Sequence, residues 1–149
     1  MTENNKQIII GCDHAAFDLK EKIKHFLTDR NIDVEDVGTN SECSVDYPDF
    51  GIKVAQQISL NQFERGILLC GTGLGMSMVA NKFTNVRAAL CNDLFSAIMS
   101  RRHNDANILV MGARVIGETL AFEIVKAWLE TSFEGGRHQL RIDKFNKID

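Results

Sequence analysis

Short apolar runs alternate along the chain with longer stretches in which apolar residues recur at helical spacing. The runs are residues 6–12 (KQIIIGC), 33–37, 66–70 (GILLC), 87–91 (RAALC) and 107–111 (NILVM). All are too short for a stable helix; 6–12, 66–70 and 107–111 are rich in branched side chains, the pattern of strands buried on both faces of a parallel sheet, while 33–37 (DVEDV) reads as a short, more polar second strand and 87–91 as the fourth. Residues 15–30 place Phe17, Leu19, Ile23, Phe26 and Leu27 on or near one face and lysines on the other, which predicts an amphipathic helix. Further helices are predicted around Ile52, Val54, Ala55 and Ile58, then over about 76–83, 94–102 and 118–130. Strand and helix in regular alternation define an α/β fold, a Rossmann-like three-layer α/β/α sandwich on a five-stranded parallel sheet. Residues 38–47 (GTNSECSVDY), just before the only proline, Pro48, read as an irregular loop. Residues 133–149 read as a polar, glycine-broken tail, so five strands and five main helices exhaust the length.

Composition narrows this picture. With 149 residues and 44% hydrophobic content the chain can build a full core without staples, and it reads as a single domain over 1–149. A net charge of −3 excludes a broad basic footprint for nucleic acid or anionic membrane, so any anion site is local. The polar start MTENNKQ has no apolar leader segment, and no apolar run approaches the roughly 18 residues of a membrane span, so a cytoplasmic protein is expected. Cys12, Cys43, Cys70 and Cys91 lie far apart with no CxxC pair, which predicts free thiols and no local metal site.

In open parallel sheets ligands bind outside the carboxyl ends of the strands. Those positions carry reactive residues here: Cys12, Asp13 and His14 after the first strand, Cys70 and GTGLG after the third, Cys91, Asn92 and Asp93 after the fourth, Gly112 to Arg114 after the fifth. The GTGLG loop turns from a strand into a helix and presents backbone N–H groups suited to a phosphate or an oxyanion. It lacks the third glycine spacing of a dinucleotide fingerprint, although Asp93 stands about 20 residues on, where a ribose-binding acid would sit. Cys70, directly before the loop, is either a small apolar residue ending a strand or a base beside backbone donors. Asp13 and His14 read equally as a helix cap and as ligand contacts. His103 reads as a cation at a helix C-terminus or as an acid/base group near working pH, His25 as a solvated surface residue. Arg137 and Arg141 are four apart, so on a helical turn they face the same way and can clamp one phosphate; His138 between them is ambiguous.

Together GCDHAAF (11–17), DYPDF (46–50), GILLCGTGLGMSMVANKF (66–83), RAALC (87–91), SRRHNDANILVMGAR (100–114) and FEGGRHQLR (133–141) resemble the type B ribose-5-phosphate isomerases, a family with allose-6-phosphate and galactose-6-phosphate isomerase members. The resemblance implies strand order 2-1-3-5-4 and a cofactor-free, metal-free aldose–ketose interconversion through a cis-enediolate. It implies Cys70 as the base between C1 and C2, His103 as the group that opens the sugar ring, and Thr72 as an aid to proton movement between the sugar oxygens. It implies that the backbone of Gly71, Gly73 and Gly75, with Ser77 nearby, binds the enediolate, and that Asp13, Tyr47 and Asn104 contact the sugar. His14, Arg114, Arg137 and Arg141 would cradle the phosphate. Some members use a Glu in the glycine loop; here position 75 is Gly, which places the chain on the cysteine branch. The resemblance also implies a homodimer, in some members a tetramer, with shared active sites: Asp13, His14, Cys70 and the loop from one chain, His103, Asn104 and Arg114 from its partner, with the tail (about 131–149) contributing to the site or the dimer. The open alternatives are a six-carbon 6-phosphate isomerase and, in a different class, a nucleotide-binding module using GTGLG.

Overall fold

A computed structural model describes residues 7–148. In chain order the elements are β1 (Ile8–Cys12), a 3₁₀ turn (His14–Ala16), α1 (Phe17–Thr28), β2 (Val34–Asp36), α2 (Tyr47–Ser59), β3 (Arg65–Cys70), α3 (Leu74–Ala80), β4 (Ala88–Leu90), α4 (Leu94–Arg102), β5 (Ile108–Gly112), α5 (Glu118–Glu130) and α6 (Arg137–Phe145). All five strands are parallel, in the order β2-β1-β3-β5-β4 that the family resemblance implies.

Alternation along each strand divides the core in two. Ile8, Ile10, Cys12, Ile67, Leu69, Leu109 and Met111 face one side, where α1, α4 and α5 bring Ile23, Leu27, Ala97, Ile124 and Trp128. Ile9, Leu68, Cys70, Ile108 and Val110 face the other, under Val54 and Ile58 of α2 and Met76 and Ala80 of α3. The sandwich therefore has three layers. Among the described residues no helix is long and apolar enough to cross a membrane.

Two helices differ from expectation. α2 starts at Tyr47, inside the segment read as loop, because Pro48 falls in its first turn, where the missing N–H would have no intrahelical partner anyway. A sixth helix, α6, occupies the segment read as a polar tail, which corrects the count of five. Gly135 and Gly136, both at positive φ, end the preceding segment, and the helix then buries only His138 and Ile142. So thin an apolar stripe is invisible to a periodicity test.

Candidate active site

Cys70 ends β3 and is 5% exposed, on the α2/α3 face of the sheet. The chain turns at once. Gly73 sits at φ +82, a left-handed conformation that L side chains rarely adopt, and a Cβ there would run into Leu90 and the Met111 backbone. The turn points the Gly73 N–H back at Cys70, to whose Sγ it donates at 3.1 Å. The Leu74 N–H donates to Thr72 Oγ1 at 3.2 Å, so the Thr72 hydroxyl proton is directed to another acceptor. Gly73 and Leu74 thus already have partners, which narrows the expected oxyanion donors of this loop to its other amides. Ser77 donates its hydroxyl to the Leu74 carbonyl at 2.8 Å.

Three neighbours frame the loop. The Tyr47 ring at the start of α2 lies 2.6 Å from where a Gly75 Cβ would stand, so a side chain at 75 would collide with it. This agrees with a loop that carries no Glu there. Asn92 braces the far side: its Oδ1 accepts the Gly112 N–H at 2.9 Å, and its Nδ2 approaches the Thr72 carbonyl at 3.5 Å. The Arg114 N–H donates to the Gly71 carbonyl at 2.9 Å, and its Nη1 lies 3.5 Å from the position of a Gly71 Cβ. Arg114 therefore belongs to the same chain's loop, which corrects its expected place on the partner. The reason is the register Cys70↔Gly112, which sets the residues after β3 and β5 side by side.

Asp13 and His14 follow β1, the other neighbour of β3. Asp13 Oδ1 accepts the Ala15 N–H at 3.1 Å, the capping role. The Val45 N–H donates to His14 Nδ1 at 3.1 Å, which leaves the proton of the neutral ring on Nε2. The 38–47 loop that supplies Val45 is itself anchored by Lys20, a fully buried lysine whose Nζ meets both Asp36 carboxylate oxygens at 2.8 Å and the Thr39 carbonyl at 2.5 Å. Burial opposes the Asp36 charge, but hydrogen bonds from Lys20, Lys24 and the Gly38 N–H outweigh it and hold the carboxyl below the ordinary range. Sequence reading missed Asn92 and Lys20 as supports. The signal for Lys20 was its position one residue from Leu19 on the buried side of α1.

The other expected residues lie elsewhere. α4 starts beyond β4 and runs back, so His103, its C-cap, stands near the amino ends of the strands: Asp105 pairs with Arg87, which precedes β4, and the Asn107 N–H donates to the Arg87 carbonyl. β5 alone separates that end from the Cys70 end by about 16 Å at ~3.3 Å per residue. Asn104 lies beside His103. The Glu134 N–H donates to the Arg102 carbonyl at 3.0 Å, which docks the start of the α6 segment there. The His103 and His138 rings stack with centroids 4.2 Å apart. Arg137 and Arg141 stand exposed on the first turns of α6, and neither has a carboxylate partner among the described residues. One chain therefore assembles Asp13, His14, Tyr47, Cys70, the 71–77 loop and Arg114 in one place, and His103, Asn104, Arg137 and Arg141 in another.

The remaining thiols are different in kind. All four cysteines are free. Burial pushes Cys12 up to about 12 and Cys91 up to about 11, so neither forms a thiolate near neutral pH. Asp93, the candidate ribose acid, caps α4 through the Ser96 N–H and hydroxyl, both at 2.7 Å.

A family model described as Ribose/Galactose Isomerase matches residues 8–145. The chain belongs to that family, and it is an isomerase. Among relatives, ribose-5-phosphate isomerase B of Escherichia coli (strain K12) is 46% identical over 97% of both chains. D-erythrulose-4-phosphate isomerase of Pectobacterium atrosepticum is 45% identical over 92% of this chain and 91% of its own. A solved ribose 5-phosphate isomerase from Thermotoga maritima superimposes with a TM-score of 0.94 at 54% identity, covering 97% of this chain and 100% of that one.

Proposed function

We propose that the chain interconverts ribose 5-phosphate and ribulose 5-phosphate through a cis-enediolate, with Cys70 as the base. The observation that carries this is the Cys70 thiol at the carboxyl end of β3, contacted by a loop N–H at 3.1 Å and two residues from the Thr72 hydroxyl, whose oxygen already accepts the Leu74 N–H. The ribose-5-phosphate isomerases among its relatives support the substrate. The Cys70 thiolate removes the C2 proton as the electrons move to O1, and the Thr72 hydroxyl relays a proton from O2 to O1. The Cys70 thiol then returns its proton to C1, which leaves the ketose. Loop amides facing the developing charge lower the barrier because they need no reorientation. No cofactor takes part in this proton bookkeeping.

Ring opening is assigned to His103 and the phosphate to His14, Arg114, Arg137 and Arg141. Since His103 and the α6 arginines stand a strand length from Cys70 in one chain, the site is completed by a second copy. The working enzyme is then a cytoplasmic homodimer, in which Asp13, Tyr47, Cys70 and the loop of one protomer meet His103, Asn104, Arg137 and Arg141 of its partner.

Coupled turnover on ribose 5-phosphate, allose 6-phosphate, galactose 6-phosphate and D-erythrulose 4-phosphate tests the substrate. The expected result is the highest kcat/KM on ribose 5-phosphate. A higher value on a six- or four-carbon phosphate reassigns the substrate. No turnover on any, with saturable dinucleotide binding, replaces the reading by the nucleotide-binding one.

A further inference from the structure

His103, Glu134 and His138 form a cluster that the reaction above does not account for as a unit. Glu134 Oε2 lies 3.4 Å from His138 Nε2 and 4.0 Å from His103 Nε2, and one ligand atom from each of the three falls within 4.8 Å of the others. Four-coordinate zinc with ligands at about 2.0–2.1 Å requires ligand atoms roughly 3.3–3.4 Å apart. One edge of that triangle is already at this length, the other Glu134 edge must close by little more than half an ångström, and the two rings, stacked 11° from parallel with centroids 4.2 Å apart, must turn about their side-chain bonds so that a nitrogen of each points at the ion.

The backbone holds the triangle together. His103 caps α4, and the Glu134 N–H is tied to the Arg102 carbonyl one residue before it at 3.0 Å. The His138 N–H donates to the Gly135 carbonyl at 3.0 Å, which fixes the first turn of α6 behind Glu134. His138 is buried while Glu134 is exposed, so the cluster is anchored on one side and open on the other.

We propose that His103, Glu134 and His138 bind one divalent transition metal ion of the zinc class, and that the ion inhibits the enzyme by occupying the His103 ring. Two imidazoles and one carboxylate suit Zn²⁺, Cu²⁺ and Ni²⁺ rather than Mg²⁺ or Ca²⁺, which prefer all-oxygen shells. Three protein ligands leave a fourth position open to water or to a substrate oxygen. Arg137 and Arg141 on the same helix repel a cation, so micromolar affinity is expected, in the range of a reversible regulator and not of a structural metal. The inhibitory half of the proposal rests on the ring-opening role given to His103; the binding half does not.

The test is a titration of the full-length chain with Co²⁺ in chelator-treated buffer, read by its visible d–d bands, and with Zn²⁺ by calorimetry. One equivalent is expected, with no thiolate-to-cobalt charge-transfer band. Glu134→Gln and His138→Gln should weaken it by about tenfold or more, by analogy with lost metal-site partners, and Cys43→Ser should leave it unchanged. Glu134 is exposed, so its variant keeps the fold even where His138→Gln does not. A thiolate band, unchanged affinity in Glu134→Gln, or no saturable binding below about 1 mM, far weaker than the micromolar range, overturns the site. In the activity arm, Zn²⁺ should stop turnover of ribose 5-phosphate reversibly, with the inhibitory concentration raised in Glu134→Gln. Binding at the cluster without inhibition keeps the metal site and removes His103 from the reaction.

Discussion

The two ends of this sheet are built on different terms. At the carboxyl ends of β1, β3 and β5 every reactive group is braced by its own chain: Cys70 by the Gly73 N–H, His14 by Val45, the loop by Asn92 and Tyr47. At the opposite end His103 and His138 lean on each other and on one exposed glutamate, while Arg137 and Arg141 have no carboxylate partner among the described residues. A group fixed inside its own chain is ready to act on what arrives; unpaired exposed cations wait for something to pair with. Under the proposed function the first end is the reaction centre and the second the half-site offered to a second copy of the chain.

The strongest way to break this contrast is to damage each end separately and then mix. Cys70→Ala should lower turnover by roughly 10³-fold or more with only a small fall in Tm, since it removes the proposed base at the cost of one small buried side chain and one loop hydrogen bond. His103→Ala should cost less, about 10²-fold on cyclic substrate and little on an open-chain analogue. When the two inactive variants are unfolded together and refolded as an equal mixture, random pairing gives heterodimers in half the cases, each with one intact site of two. Recovery to about one quarter of wild-type activity is expected for an isologous dimer with shared sites. No recovery would show that Cys70 and His103 serve the same chain or different tasks, and equal loss on cyclic and open substrate would remove His103 from ring opening.

Much of this division was written in the order of residues, and some of it was not. Strand ends could be read because buried strands are continuous apolar runs, and the parity of each run already separates Cys70 from Cys12: they turn to opposite faces of the sheet. Parity cannot rank two thiols, however; the difference lies in a donor three residues on whose direction depends on the φ of Gly73. The placement of Arg114 follows from the strand order, since β3 beside β5 brings their following residues together. The resemblance alone puts it on the partner, because a motif carries a role but not the strand that stands beside it. α6 was hidden by its polarity, and Lys20 by its charge: a fully buried lysine contradicts composition until Asp36 and the Thr39 carbonyl are seen around it.

Arg137→Ala sharpens the contrast at a smaller scale. An exposed guanidinium that meets only substrate phosphate contributes equally to ground and transition states, so KM should rise about tenfold with kcat nearly unchanged. Initial-rate kinetics decide it; an unchanged KM would leave α6 without a share in the phosphate clamp.

The smallest effect concerns stability at the second end. Burial, then the neighbouring His103 and Arg137, hold His138 below its ordinary value of 6.5, Glu134 opposing and Arg141 adding to the shift. Between that lowered native value and 6.5 the unfolded chain binds a proton that the folded chain resists. Stability linked to His138 is therefore complete above this window and declines as pH falls through it. The carboxyl of Asp36 is held below its ordinary range, so its own contribution is lost only in stronger acid and does not overlap. Thermal unfolding in the presence of a chelator, from pH 7.5 down to 5.5, should show wild type losing Tm faster than His138→Gln by a small but reproducible margin. Parallel curves would mean that the stacked pair admits a proton as readily as the unfolded chain does. The second end would then tolerate charge as freely as open surface, and its cluster would lose the buried anchor that sets it apart from the arginines beside it.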